Sequence, residues 1–481
     1  MNWIIPDINL NLLSPEIVIL GFALLILILD PLLSRKAKVT SAHLGWIGIV
    51  IAFVFAIRLW NFNQTSFNEM FILDNFACFF KFVFLISSFL VIFASINYLK
   101  EENILHGEYF SLILFSTLGM MLMVSSLDLV VIFLGMEIMS LSLYVLAGFR
   151  RHVLESNESS IKYFLIGAFA SGFLLYGIAL IYGSTSTTNL AQILLNLSYT
   201  GFQNTHMAWI GMGLLIVGFG FKIASVPFHM WAPDVYQGAP APVTAFISAG
   251  PKAAGFAALL RVLLIAFARY QFDWSIIIWI LAVLSMTLGN ILALSQTNIK
   301  RLLAYSSIAH AGYVLVALVG GGEQGVSSAL FYLLVYIFMN IGAFAIVVVI
   351  GEKNTDLEDY SGLVNRNPIL SVVMATFLLS LAGFPPFAGF LAKFYAFGAA
   401  VKSGYIGLAI IAVLNSFVAV YYYLRVVVIM FMRPERTGAK FISVPVSVSL
   451  VLFIAILGTI WLGIFPQVFL DLAKNSFLLL F

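Results

Sequence analysis

The chain has 481 residues, of which 62% are hydrophobic and only 9% charged, far below the roughly 25% charged content of ordinary soluble domains. A formal net charge of +3 gives no electrostatic case for nucleic acid binding, and the single cysteine, Cys78, excludes a disulfide framework and any cysteine-built metal centre within the chain. Its long apolar runs must lie in lipid, where backbone groups have to be satisfied internally, and they are too long for barrel strands, so the expected class is an all-α polytopic membrane protein.

In chain order, apolar runs predict about 14 transmembrane helices near residues 15–33, 41–60, 72–99, 108–126, 127–149, 158–183, 207–232, 240–266, 272–295, 298–320, 325–350, 368–400, 402–432 and 441–465. The opening MNWIIPDINLNLL lacks the basic region of a cleavable signal, so the first run reads as a retained span. Asp128, after SSL, reads as a helix N-cap.

Basic residues collect in alternate connections: Arg35, Lys36 and Lys38; Lys100; Arg150, Arg151 and Lys162; Lys300 and Arg301; Lys353 and Arg366; Arg433, Arg436 and Lys440. The opposite connections carry only Arg58, Arg269, Lys402 and Lys474. The positive-inside rule then puts both termini in the periplasm. The longest polar stretches, 184–206 and 351–367, read as loops, leaving one membrane domain. Within it, N-terminal helices (1–107) precede two five-helix blocks, 108–266 and 272–432, and a C-terminal helix in 441–481. The fourth span of each block is interrupted by proline, at Pro227 and at Pro385 and Pro386, and the blocks run in opposite senses, as in inverted-repeat transporters.

An ionisable group in mid-bilayer costs several kcal/mol, so each needs a reason to be there. Glu137, in LVVIFLGMEIMSLSLYVL, lies too deep to reach an interface and has Ser140 and Tyr144 on related faces; it is a functional carboxyl or a protonated structural one. Lys222 stands just before Pro227, whose ring frees the carbonyl of Ile223 and opens a place for water; capping of the broken helix is the alternative. Lys252, in ISAGPKAAGFAALL, is surrounded by small residues that leave room for water, and apolar surroundings favour the neutral amine that a proton carrier needs. Lys393 follows Pro385 and Pro386, which free the carbonyls of Leu381 and Ala382; it is a carrier or a side chain reaching toward the periplasmic surface. His310, beside Ser306 and Ser307, either bridges two lysines or is a hydrogen-bonded core histidine. His229 lines a proton entrance or caps a half-helix. Lys81, Arg261 and Arg425 lie near helix ends and read as interfacial anchors, which makes Lys81→Ala nearly silent.

The segment GFGFKIASVPFHMWAPDVYQGAPAPVTAFISAGPKAAGF resembles the antiporter-like subunits of respiratory complex I and the related multisubunit cation/proton antiporters, and KRLLAYSSIAHAGY and FPPFAGFLAKFY extend the resemblance over nearly the whole chain. The chain stops soon after its last span, without the long lateral helix of the largest such subunit, and has Lys393 where the subunit M type typically has glutamate. The resemblance implies about 14 spans in inverted five-helix repeats around a hydrated axis. It also implies a Glu137–Lys222 ion pair, Lys252 as the central lysine, Lys393 as the far lysine and His310 as a link. It further implies proton translocation in a bacterial inner membrane, beside neighbouring antiporter-like and small membrane subunits. No cofactor is expected in this chain; NADH, FMN, iron–sulfur clusters and quinone are expected in partner subunits. A cation/proton antiporter or membrane-bound hydrogenase subunit, a non-transporting scaffold and a quinone-binding subunit are the competing readings, the last without a convincing headgroup site.

Overall fold

In lipid a chain that cannot hydrogen-bond to solvent must close its backbone bonds within each segment, and helices do this. The computed structural model describes residues 8–199, 206–435 and 441–477; Arg436 and Lys440 of the last basic connection lie outside them. The helices are α1 (Ser14–Leu29), α2 (Val39–Arg58), α3 (Asn75–Glu101), α4 (Gly107–Val124), α5 (Leu129–Ala147), α6 (Leu154–Thr185), α7 (Leu190–Tyr199), α8 (His206–Lys222), α9 (Trp231–Gly238) and α10 (Ala241–Ile265). They continue with α11 (Gln271–Leu294), α12 (Ile299–Gly320), α13 (Gly322–Ile350), α14 (Leu363–Arg366), α15 (Pro368–Ala382), α16 (Ala388–Lys402), α17 (Ile406–Met432), α18 (Val446–Ile464) and α19 (Gln467–Lys474). Among the described residues, 12 helices are long and apolar enough to cross a membrane, and the shorter α8 and α15, each followed by a break and another helix, bring the number of crossings to the expected fourteen.

Two connections hold more structure than the sequence reading gave them. Residues 184–206, read as a loop, contain α7, and residues 351–367 contain a 3-10 turn at Leu357–Tyr360 and α14. A short antiparallel hairpin, β1 (Gln64–Ser66) with β2 (Phe71–Leu73), joins α2 to α3. Both differences concern elements too short to leave a hydropathy signal of membrane length.

Helices α10, α12 and α13 are enclosed along almost their whole length, whereas α1, α6 and α18 turn most of their surface outward. The outward faces are apolar, as at Phe169 on α6 and Phe417 on α17, which are 74% and 71% exposed. Lys252, Ser307 and His310 lie on the enclosed helices α10 and α12.

The same local construction appears twice. Asp128 caps the start of α5 by accepting from the amides of Val130 and Val131, and Asn298 caps α12 by accepting from those of Lys300 and Arg301. Each cap is also clipped to the segment after the next helix: Leu129 N–H donates to Thr188 O and Leu190 N–H to Leu127 O, just as Ile299 N–H donates to Thr355 O and Leu357 N–H to Thr297 O. Gly119 of α4 and Gly289 of α11 play one role as well, since an added Cβ would lie 2.5 Å from the Gly135 O and Met139 N of α5 or 2.7 Å from the Ala309 N of α12. Only a residue without a side chain permits so close a backbone approach.

The structure corrects the anchor assignment. Lys81 is fully buried and pairs with buried Glu16 at 2.7 Å, joining α3 to α1. Arg261 is also fully buried and makes two 2.9 Å hydrogen bonds to Asp74, which caps α3 through the amide of Ala77. Arg425 donates to Leu294 O and Gln296 O and so caps the end of α11. Distance from a helix end is a poor guide when the neighbouring helix supplies the countercharge.

Lys81→Ala is therefore expected to be strongly destabilising, by about 3–5 kcal/mol, because it strands the buried Glu16 carboxylate. Thermal unfolding of the purified protein in detergent measures this, and the pair Lys81→Met with Glu16→Leu is expected to recover most of the loss. An unshifted unfolding temperature in Lys81→Ala would remove the pair from the structural account.

Candidate functional site

The site is built on the two helix breaks and on the enclosed helices between them. After α8 ends at Lys222 the chain turns through Ala224, in the left-handed region at φ 56°, and Ser225 before α9. Proline at 227 cannot continue the helical hydrogen bonding, and the indole N–H of Trp231 donates to the carbonyl of Phe221 at 3.0 Å. At the second break, Gly383 (φ 93°) makes the turn after α15, and a Cβ there would lie 3.1 Å from Lys393 Cδ. Glycine thus serves both the turn and the close passage of the lysine.

Lys222 is 5% exposed and its ammonium donates to Ser140 Oγ at 2.7 Å and to Tyr144 OH at 3.4 Å. Glu137, one turn before Ser140 on α5, accepts a 2.5 Å hydrogen bond from Ser171 of α6. Among the described residues the structure gives no direct Glu137–Lys222 ion pair: the ammonium is held by Ser140 and Tyr144 and the carboxylate by Ser171.

Helix α10, which carries Lys252, passes close to the end of α8, since a Cβ on Gly255 would lie 3.2 Å from the Lys222 Cβ. The Lys252 ammonium donates to Ser307 O at 2.8 Å and to Ser307 Oγ. The neighbouring Ser306 hydrogen-bonds Tyr423 OH, which also contacts His310 Nε2 at 3.2 Å, and His310 Nδ1 meets Tyr332 OH at 2.6 Å. The His310 ring lies edge-on to Tyr313, at 5.6 Å between centroids, and the Lys393 ammonium sits 4.9 Å from the centroid of the same Tyr313 ring. Lys393 donates to Ser416 Oγ at 2.9 Å and to Ala382 O at 2.8 Å, a carbonyl at the second break. Only 4% exposed, it does not reach a surface, although an apolar cleft of about 440 Å³ between α16 and α17 opens onto it beside Phe394 and Phe417.

Lys252, His310 and Lys393 are thus connected through Ser307, Ser306, Tyr423 and Tyr313, whereas Lys222 is held separately by Ser140 and Tyr144 with Glu137 nearby on α5. His229 is half-buried between α8 and α9, and its Nδ1 has no hydrogen-bond partner. Sequence reasoning passed over the connecting residues Ser171, Tyr313, Tyr332 and Tyr423. Tyr313 lies one turn from His310, and that spacing was a usable signal; the others come from distant helices.

A cluster of charges closes the face of the bundle that carries Arg150 and Lys300. Glu352, just beyond α13, accepts from Lys300 at 3.0 Å, from Tyr98 OH at 3.1 Å and from the amide of Ala241 at the start of α10, with Arg150 at 3.6 Å. Nearby, Asp234 of α9 binds Lys162 of α6 at 2.7 Å and Arg301 of α12 at 2.6 Å. Partial burial raises the affinity of the Asp234 carboxyl for a proton, but the hydrogen bonds from Lys162 and Arg301 outweigh it and hold the group below its ordinary value of 3.8. The segment after the first break is thereby fastened to both halves of the molecule.

The family described as NADH:quinone oxidoreductase/Mrp antiporter, transmembrane, matches residues 126–419, which contain Glu137, Lys222, Lys252, His310 and Lys393. The chain belongs to this family of membrane transport subunits. Within it the chain is 51% identical over 472 residues to NADH-quinone oxidoreductase subunit N of Trichlorobacter lovleyi, covering 98% of this chain and 97% of the relative. It is 43% identical to subunit N 1 of Solibacter usitatus, with 96% of each chain covered. Among solved structures, a chain of respiratory complex I from Thermus thermophilus matches with a TM-score of 0.82 and 34% identity, over 96% of this chain and 99% of that one. A chain of the Mrp complex from Dietzia has the same TM-score at 21% identity, over 98% and 97% of the two chains, and so shares the fold.

The Asp234 carboxyl binds protons more weakly folded than unfolded, so its contribution is present above the unfolded value near 3.8 and is lost as pH falls through the lower folded value. Protection of the α9 amides in hydrogen exchange is expected to fall over that acid range, and Asp234→Asn is expected to show the reduced protection already at neutral pH. Equal protection in the two proteins at neutral pH would show that the ion pairs do not hold α9.

Proposed function

We infer that this chain works as the proton-translocating membrane-arm subunit of an NADH-quinone oxidoreductase, and we propose that Glu137, Lys222, Lys252, His310 and Lys393 form its proton relay. The observation that carries this reading is the set of buried lysines Lys222, Lys252 and Lys393, each resting on a hydroxyl, with His310 and the Tyr423 and Tyr313 rings between the last two. Groups left ionisable at such depth without a surface to reach are expected to serve transport.

In this mechanism Lys222 takes up a proton near the first break, where His229 is the candidate entrance, and Glu137 controls how firmly it is held. When the carboxylate approaches, the ammonium is favoured; when it withdraws, desolvation favours the neutral amine and the proton moves on to Lys252. Ser307, His310 and the tyrosines carry it to Lys393. Moving one proton against roughly 200 mV takes about 4.6 kcal/mol at 2.3 kcal/mol per 100 mV, and a swing of about 3 pKa units supplies roughly 4 kcal/mol. Opening and closing one ion pair is thus of the right size to drive one proton.

The face bearing Arg150, Lys300 and Arg301 is assigned to the cytoplasm and both termini to the periplasm, following the distribution of basic residues. Residues 108–266 and 272–432 are assigned as inverted repeats, supported by the recurring caps and glycine contacts of α4–α5 and α11–α12. NADH, FMN, iron–sulfur clusters and quinone are assigned to partner subunits, with antiporter-like and small membrane subunits as neighbours.

In proteoliposomes containing the assembled enzyme and a pH-sensitive dye, Glu137→Ala and Lys222→Ala are each expected to reduce proton pumping strongly while assembly is retained. Pumping at the unmodified level in either variant would overturn the relay.

A further inference from the structure

Asn290 of α11 is fully buried and has no place in the relay described above, but its side chain spends both N–H donors and its oxygen on residues beside that relay. The amide donates to Tyr313 OH of α12 at 3.0 Å and to the main-chain oxygen of Asn415 on α17 at 3.1 Å, while Oδ1 accepts from Tyr422 OH of α17 at 3.1 Å. Tyr313 is the ring over which the Lys393 ammonium sits and which meets His310 edge-on. Asn415 is followed by Ser416, whose hydroxyl accepts from Lys393 at 2.9 Å. Tyr422 is followed by Tyr423, which contacts His310 Nε2, and the two tyrosine rings lie 4.4 Å apart between centroids. A single buried amide therefore fastens three supports of the step between His310 and Lys393, drawn from two helices.

The chemistry of the partners fixes how this amide is turned. A main-chain carbonyl only accepts, so the atom facing Asn415 O is the amide nitrogen; the Tyr313 oxygen beside it is then an acceptor, and Tyr422 is a donor to Oδ1. The backbone brings the group there: at the adjacent Gly289 a Cβ would lie 2.7 Å from Ala309 N, so Asn290 enters the bundle where α11 presses on α12 just before His310. An ammonium is attracted by the face of an aromatic ring and not by its edge, which carries the opposite polarity. Holding the Tyr313 hydroxyl therefore holds the face toward Lys393, which has no carboxylate partner among the described residues. We propose that Asn290 is a positioning residue for the outer end of the relay, keeping the Tyr313 face and the Ser416 hydroxyl together on the Lys393 ammonium. The inference rests on the relay proposed above and deepens it. Asn290 acts on Lys393 through Tyr313 and through α17, and so sets how well the proton is received at the last lysine.

The test uses the complete NADH-quinone oxidoreductase in proteoliposomes and reads the protons moved per NADH oxidised. Asn290→Leu keeps the volume and removes all three hydrogen bonds; it is expected to lower this ratio toward that of Lys393→Ala. In the Lys393→Ala background the same substitution is expected to add no further loss, because its effect passes through that lysine. A further loss there as large as in the presence of Lys393 shows a general packing defect and overturns the proposal. Tyr313→Phe, which keeps the ring and removes only the hydroxyl that Asn290 holds, is expected to give a smaller loss in the same direction. Should Asn290→Leu fail to assemble, Tyr313→Phe decides alone, and a normal ratio in it overturns the proposal. A normal ratio in assembled Asn290→Leu while Lys393→Ala is defective overturns the positioning role and leaves the relay standing. A normal ratio in Lys393→Ala itself overturns the relay.

Discussion

The constraint from which the architecture follows is that lipid offers no hydrogen bonds. Backbone groups are closed within helices, and at the breaks carbonyls are met by side chains, such as the Trp231 indole at Phe221 O and Lys393 at Ala382 O. The same constraint governs charge. Lys81 with Glu16 and Arg261 with Asp74 are tight pairs between helices, and each holds the N-terminal helices or α10 in place. Lys222, Lys252 and Lys393 are different: their ammonium groups rest on hydroxyls and carbonyls instead of carboxylates.

In the relay proposed above, that distinction separates structural pairs from proton carriers. A lysine locked to a carboxylate in a dry interior is difficult to discharge, because loss of either charge strands the other. A lysine solvated by serine, tyrosine and main-chain oxygen has partners that tolerate both protonation states, since a hydroxyl donates as readily as it accepts. Ser140, Ser307 and Ser416 supply such partners, and the proline breaks supply carbonyls that an intact helix would have used.

The charged clusters around Glu352 and Asp234 connect this interior to the rest of the molecule. Glu352 binds the start of α10, the helix of Lys252, to Lys300 on α12, the helix of Ser307 and His310. Asp234 ties the segment after the first break to α6 and α12. These contacts tie together the segment that follows Lys222 and the helices that carry Lys252 and His310, so that the charged clusters and the buried lysines share the same packing.

The crossings, their number and the positions of the breaks were legible in the sequence by itself, because hydropathy over a membrane thickness and proline in an apolar run act locally. So were the buried lysines, Glu137 and His310, since an ionisable residue within such a run stands out whatever surrounds it. What only the tertiary structure decided was partnership. Lys81 and Arg261 read as anchors until α1 and the start of α3 brought Glu16 and Asp74 to them, and packing decided that the Lys222 ammonium meets Ser140 while the Glu137 carboxylate meets Ser171. Tyr423, Tyr332 and Asn290 are unremarkable in sequence and become connectors only where helices far apart in the chain cross. Depth in the bilayer is a property of a single segment, whereas a hydrogen bond between segments depends on how their faces are turned toward each other, and that orientation is set by the packing of the whole bundle.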